Sequence, residues 1–242
     1  MGRSVSKTKI IFLTLLVIST TIYFKDKWSY SPYPQGTKML IFDFDGTIAD
    51  SLPAIFQALN NNASYFGYKT IERIELLAGK DSSEFLKEFE ISSIKLPFVV
   101  QAVRNEVNKK ITSIQPFDQL KSILDQLKAK QVKLGIVTSN STQNVKEFLA
   151  YHNLDYFDLI HGGSSLFGKG KILKKLLNDH NLEASNVIYI GDETRDIQAA
   201  QENHIRCAAV TWGLCTAERL AAYKPDFIVH DKSDLLMLAQ II

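Results

Sequence analysis

Cysteine is scarce. Cys207 and Cys215 are the only two in 242 residues, and they match neither zinc-ligand nor redox spacing, which removes a metal-stapled or disulfide-stapled scaffold from consideration. Cys207 lies in the apolar run 207–210 and reads as a buried thiol. A basic excess is also missing from most of the chain. Residues 1–38 carry six basic side chains (Arg3, Lys7, Lys9, Lys25, Lys27, Lys38) against Asp26 alone, so the remainder holds 22 basic and 25 acidic residues, a net of −3. A slightly acidic body argues against nucleic acid as the main partner. There is no internal repeat and no low-complexity tract. No long hydrophobic run is present apart from residues 10–24, which are uncharged and follow Arg3, Lys7 and Lys9. As a helix this run would measure roughly 22 Å, short of the ~30 Å hydrocarbon layer. An Ala-x-Ala cleavage site is lacking, so an uncleaved membrane anchor is preferred to a removed signal. Trp28, Tyr30 and Tyr33 follow, and such rings favour a membrane interface. The body would then be membrane-associated. If translation starts at Met39, it would be cytoplasmic.

What remains is ordinary globular composition, 45% hydrophobic and 22% charged, enough for one large domain or a domain with an insert. Residues 39–42 read as a short buried strand, and Asp43-Phe44-Asp45-Gly46-Thr47 follows at once. Two acids two apart would point to opposite faces if the strand continued. Gly46 ends it, so both can reach the rim at the strand's C-terminal end, where open α/β sheets hold ligands. A nucleophile, an acid/base and a hard-metal ligand could all come from this turn.

Beyond residue 116 the pattern alternates. Strands are expected at 132–137, 157–160, 187–190, 206–210 and 227–229. Helices are expected at 116–130, 142–151, 171–180, 197–203, 217–223 and 235–241. Such alternation predicts right-handed β-α-β units and a parallel sheet. The interval 52–115 contains only helical patterns, at 52–66, after the box-like Asp81-Ser82-Ser83-Glu84, and from Pro97 to 107. The fold class is therefore α/β, a Rossmann-like parallel core formed by 39–51 and 116–242. A small helical cap, 52–115, is inserted into it, and an N-terminal arm and linker, 1–38, precede it.

Three more polar clusters end strands or begin helices. Thr138-Ser139-Asn140 offers hydroxyls and amides to phosphate oxygens. In Gly168-Lys169-Gly170-Lys171 either ammonium could neutralise phosphate, with Lys169 favoured. In Gly191-Asp192-Glu193-Thr194-Arg195-Asp196, Asp192 and Asp196 can share one side of a turn and suit Mg²⁺. Glu193 and Arg195 are expected to face outward or to stand behind the ligands.

Together, in this order, these clusters resemble the haloacid dehalogenase-like superfamily over about residues 39–230. Phe167-Gly168-Lys169 and Trp212-Gly213 look most like its phosphoglycolate-phosphatase-like branch, whose helical cap the insert also resembles. The resemblance implies a Mg²⁺-dependent phosphatase acting on a small phosphorylated metabolite. Asp43 would be the nucleophile and Asp45 the general acid/base. Thr138, Ser139, Asn140 and Lys169 would bind phosphate. Asp43, Asp192 and the Asp45 carbonyl would hold the metal, with Asp196 in support. An aspartate at position 45 fits phosphatases and phosphomutases. A sugar phosphomutase is the alternative reaction, and a membrane-tethered binding protein with an inert site is the alternative of another class. Lys80, in the loop 79–81, could reach an anionic leaving group. Oligomeric state is left open.

Overall fold

The computed structural model describes residues 33–77, 82–163 and 168–242. The apolar arm 10–24, the loop 79–81 with Lys80, the side chains of the box 81–84, and Phe167 lie outside what the structure describes. Among the described residues no helix is long and apolar enough to cross a membrane.

Six strands form one parallel sheet: β1 (Met39–Phe42), β2 (Lys133–Val137), β3 (Leu159–His161), β4 (Val187–Gly191), β5 (Arg206–Val210) and β6 (Phe227–Val229). Their spatial order is β3-β2-β1-β4-β5-β6. β1 is central, paired with β2 through Leu40 and Leu134 and with β4 through Leu40 and Ile188. Its unbroken apolar sequence is what a strand covered on both faces requires. Leu40 and Phe42 enter one hydrophobic core, while Met39 and Ile41 enter the other.

The first core is closed by helices α4 (Leu120–Ala129), α5 (Thr142–Tyr151) and α9 (Leu235–Ile241). The second is closed by α6 (Lys169–Asp179), α7 (Thr194–Gln201) and α8 (Ala217–Ala222). The result is a helix–sheet–helix sandwich. The chain builds outward from β1 to β3, then crosses back to β4. Strand order reverses between β1 and β4, and a crevice opens there beyond the strands' C-terminal ends.

Between β1 and β2 lie α1 (Leu52–Phe66), a 3-10 turn at Ile74–Leu77, α2 (Ser82–Glu88) and α3 (Leu96–Asn108). Proline in the first turn starts both α1 and α3. α1 ends at Gly67, whose left-handed φ of 71° lets its N–H reach the Ala63 carbonyl. Ala58 and Ala63 of α1, with Val99, Val103 and Val107 of α3, are buried in a core continuous with the first. The two chain crossings into and out of this segment bond to each other. Asp50 donates to the Gln115 carbonyl at 2.9 Å, and Phe117 donates to the Ile48 carbonyl at 3.1 Å.

Four elements start two residues or more from the sequence expectation. α4 starts at Leu120 rather than at 116, because Pro116 and Phe117 belong to the paired crossing and Gln119 adopts a left-handed φ of 67°. β3 starts at Leu159, since Phe157 packs edge-on against Phe42 instead of pairing. α6 and α7 start earlier, at Lys169 and Thr194, which moves both helix starts into the polar clusters.

At the opposite end of the sheet, Tyr33 donates its N–H to the His180 carbonyl at 3.0 Å and stacks on the His180 ring. The Lys133 ammonium lies over the other aromatic partner of this clamp, the Tyr33 ring, at 5.9 Å.

Candidate active site

The loop after β1 is a tight turn folded on Phe44. The Phe44 carbonyl accepts the N–H groups of Thr47, Ile48 and Ala49, and its ring is buried edge-on against Phe148. Phe44 therefore anchors the turn while the acids on either side of it stay at the rim. Gly46 sits at φ +76°, and a Cβ there would collide with the Asp192 carboxylate. Glycine is required by conformation and by contact alike.

Asp43 follows β1 with its N–H bound to the Ile190 carbonyl at 2.7 Å, which locks it to the neighbouring strand. Its Oδ2 meets the Lys169 ammonium at 2.7 Å. Its Oδ1 is buried and has no hydrogen-bond partner among the described residues. The same Lys169 ammonium lies 2.5 Å from Asp196 Oδ1. Lys171 is exposed, so the ammonium at the acids belongs to Lys169.

Asp192 ends β4. The Thr47 hydroxyl donates to its Oδ1 at 3.0 Å and the Leu214 amide to its Oδ2 at 2.7 Å. Asp196 accepts the Glu193 amide at 3.0 Å and completes a reciprocal cap at the start of α7. Both Asp196 oxygens are thus engaged, with the Tyr189 hydroxyl a further 3.5 Å neighbour of Oδ1. Arg195 pairs with Glu193 and stays partly exposed.

Asp45 sits on the β2 side. The Asn140 side-chain amide donates to its Oδ2 at 3.1 Å, while Asn140 Oδ1 accepts from Ser141 and Asn144. Asn140 is therefore directed at Asp45 in this structure. Thr138 is fully buried, and its hydroxyl accepts the Asn140 amide at 3.1 Å. Ser51 is buried beside Asp45, near enough to draw its pKa down although outside hydrogen-bond geometry.

The charges do not balance. Oxygens of Asp43, Asp192 and Asp196 lie within 4.8 Å of one another, and one ammonium is inserted among them. Burial pushes Asp43 up to about 7, with Asp196 adding to the rise and Lys169 opposing it. Burial also carries Asp192 well above the usual carboxylate range, with Glu193 and Asp43 adding to it. Asp45 is raised by burial too, and Ser51 and Asn140 offset part of the rise. Ionised together, three carboxylates against one ammonium would leave two negative charges out of water; the raised pKa values of Asp43 and Asp192 express that cost, which a joining cation would relieve. The donors are all hard oxygens, and Asp43 Oδ1 is unpartnered. This set could hold a divalent cation.

The Tyr189 hydroxyl and the backbone amide of Leu214 carried no sequence signal, and Thr47 was legible only as the end of the turn after β1, not as a partner of Asp192. Their roles depend on contacts outside local patterning: Thr47 meets Asp192 across 145 residues, Tyr189 meets Val137 across 52, and Leu214 meets Asp192 across 22. Trp212 and Gly213 were legible only as part of a resemblance. A Cβ on Gly213 would collide with Asp192 and with the Gly46 carbonyl.

A sequence profile of haloacid dehalogenase-like hydrolases matches residues 40–210. A phosphoglycolate phosphatase of Synechococcus elongatus is 33% identical over 200 residues, covering 81% of this chain and 94% of that protein. A phosphoglycolate phosphatase of Aquifex aeolicus is 26% identical, covering 83% and 96%. Among solved structures, a haloacid dehalogenase-like hydrolase from Streptococcus pneumoniae superposes with a TM-score of 0.72 at 28% identity, covering 84% of this chain and 98% of that one. With the acids, lysine and threonine gathered at the sheet's switch point, these likenesses establish that the chain belongs to the haloacid dehalogenase-like hydrolase family, in its phosphoglycolate-phosphatase-like branch, as a hydrolase of phosphate monoesters.

Proposed function

We propose that this chain is a Mg²⁺-dependent phosphatase for a small phosphate monoester, phosphoglycolate-like or a sugar phosphate, working through an aspartyl-phosphate. The observation that carries this reading is the state of Asp43. One of its oxygens is fixed by Lys169, and the other is buried and unpartnered beside Asp192.

Asp43 attacks phosphorus and becomes the phosphorylated residue. Asp45, steered by Asn140, gives a proton to the leaving oxygen and later takes one from the water that hydrolyses the acyl phosphate. The raised pKa of Asp45 suits it to begin as an acid. Lys169 and Thr138 hold the non-bridging oxygens as charge shifts during transfer. Asp43, Asp192 and the Asp45 carbonyl would hold Mg²⁺, which would supply charge neutralisation between carboxylate and phosphate. Asp196 supports the site by fixing Lys169 and the start of α7.

The segment 52–115 is proposed as a cap that excludes water and reads the leaving group. Its paired crossings, next to Asp45 and Ser51, support that role. The phosphoglycolate phosphatases among its relatives support a small carboxylate-bearing ester as the first candidate substrate.

The test is a panel of phosphate esters with and without Mg²⁺, with Asp43→Asn as control. Mg²⁺-dependent release of phosphate, strongest for small carboxylate or sugar esters and absent in the variant, is expected. Undiminished turnover by Asp43→Asn would refute the mechanism.

A further inference from the structure

The loop between β5 and α8 touches the acidic cluster and a cap crossing at the same time. The Trp212 indole N–H donates to the Thr47 carbonyl at 3.2 Å. Thr47 in turn donates its hydroxyl to Asp192 Oδ1 at 3.0 Å. Two residues beyond Trp212, the Leu214 amide holds Asp192 Oδ2 at 2.7 Å, and the Cys215 amide reaches the Asp192 carbonyl at 3.3 Å. Gly213, between them, packs on Asp192 and on the Gly46 carbonyl too closely for any side chain. Trp212, Thr47, Asp192 and Leu214 therefore close a ring of contacts, and both oxygens of Asp192 are oriented from within it.

The outer side of the ring meets the crossing that returns from the insert. The Trp212 ring meets Phe117 edge-on at 6.5 Å. Phe117 is the residue whose N–H pairs the returning crossing with Ile48, next to Thr47. The Lys232 ammonium lies 5.0 Å from the Trp212 ring centre and 5.7 Å from that of Phe117, holding the two rings together from outside.

We propose that Trp212 is a positioning residue that couples the cap crossing at Phe117 to the orientation of the Asp192 carboxylate. It touches no reacting atom. A shift of the crossing moves the Trp212 ring, and the ring moves the Thr47 carbonyl and the Leu214 amide together. Both set Asp192. The position of the insert is thereby transmitted to the cation-binding oxygens without a direct contact between them. This rests on the reading of Asp192 as a cation ligand.

The test is calorimetric titration of Mg²⁺ into the substrate-free full chain, with thermal melts alongside. Trp212→Phe keeps an aromatic ring and removes the N–H. It should weaken Mg²⁺ binding about two- to ten-fold, the scale of one hydrogen bond. Thr47→Val should do the same, and the double variant should lose less than the product of the two single losses, because both act through one chain of contacts. Phe117→Leu, which alters no group at the acids, should weaken Mg²⁺ by about two-fold and serves if Trp212→Phe does not fold. Unchanged Mg²⁺ affinity in Trp212→Phe or Phe117→Leu, or fully multiplicative losses in the double variant, overturns the coupling, even if melting temperatures fall. Asp192→Ala separates the two readings. If it abolishes Mg²⁺ binding while Trp212→Phe leaves it intact, the ligand assignment stands and the coupling falls. If Asp192→Ala binds Mg²⁺ normally, the ligand assignment falls and takes the coupling with it.

Discussion

Two lysine–aspartate clusters sit at opposite ends of the same sheet, and they solve opposite problems. At the C-terminal end, one ammonium, Lys169, is shared by two carboxylates, and all three side chains are at most 3% exposed. At the N-terminal end, one carboxylate, Asp158, is shared by Lys128 at 3.0 Å and Lys133 at 2.8 Å, with the lysines about 40% exposed. The first has too little positive charge and no water to make up the difference. The second has a surplus of positive charge that water screens easily. In the first, burial holds Asp43 up. In the second, burial would raise Asp158, but Lys133, the Leu134 amide and Lys128 outweigh it and keep the acid below its ordinary value. Identical residue types thus make a reactive, charge-starved site at one end and a plain clamp at the other. Solvent and stoichiometry make the difference.

The largest way to break this contrast is at Asp43. Asp43→Asn should reduce turnover by at least ~10⁴-fold, on the scale of removing a covalent nucleophile, whereas no change at Asp158 should alter turnover measurably. Steady-state assay of an aryl phosphate distinguishes the two.

Asp45→Asn should cost roughly 10²–10⁴-fold by removing proton transfer while sparing the nucleophile. With an aryl phosphate, whose leaving group needs little protonation, the first step persists and the second stalls. Intact-mass analysis after a rapid quench should then find one added phosphoryl group on the Asp45 variant and none on Asp43→Asn.

Stability gives the next comparison. Lys169→Met strands buried carboxylates and should cost about 3–5 kcal/mol in metal-free urea melts. Lys133→Met leaves Asp158 with Lys128 and with water, and should cost about 1 kcal/mol or less. Equal costs would mean that burial does not separate the clusters.

The smallest effect lies in pH. The folded-state pKa of Asp158 is lower than its unfolded value, so its stabilisation is complete above the unfolded pKa of about 3.9 and disappears as pH falls through the lower, folded value. Asp158→Asn should therefore melt below the wild type at neutral pH, by about 1 kcal/mol. The gap should begin to narrow below about pH 4 and close only below the lower, folded pKa of Asp158. A gap that persists in acid would assign the loss to packing.

The sequence disclosed the reactive end far better than the clamp or the insert. Asp43, Asp45, Lys169 and Asp192 each follow a strand or open a helix, and short-range patterning finds such positions. The parallel sheet was legible because β1 and β4 are continuous apolar runs. The contact of Thr47 with Asp192 was not legible because its partner is 145 residues away; Tyr189 read only as a strand residue, and Leu214 acts through a backbone amide that every residue but proline has. The start of α4 was misjudged for a similar reason. Residues 116–119 have helical character, yet tertiary pairing with Ile48 takes them into the crossing. Asn140 showed the chemistry of a phosphate ligand, and the fold adds that its amide also reaches Asp45.

The paired crossings at Ile48–Phe117 and Asp50–Gln115 have a consequence for variation among relatives. Because the insert leaves and re-enters the core at points one hydrogen bond apart, the core sees the insert as a closed loop of nearly zero span. Closure cost then depends on loop length only logarithmically, about 0.6 kcal/mol for each doubling. Such a segment can be lengthened, trimmed or exchanged at almost no expense to the stability of the sheet or to the acids at its rim.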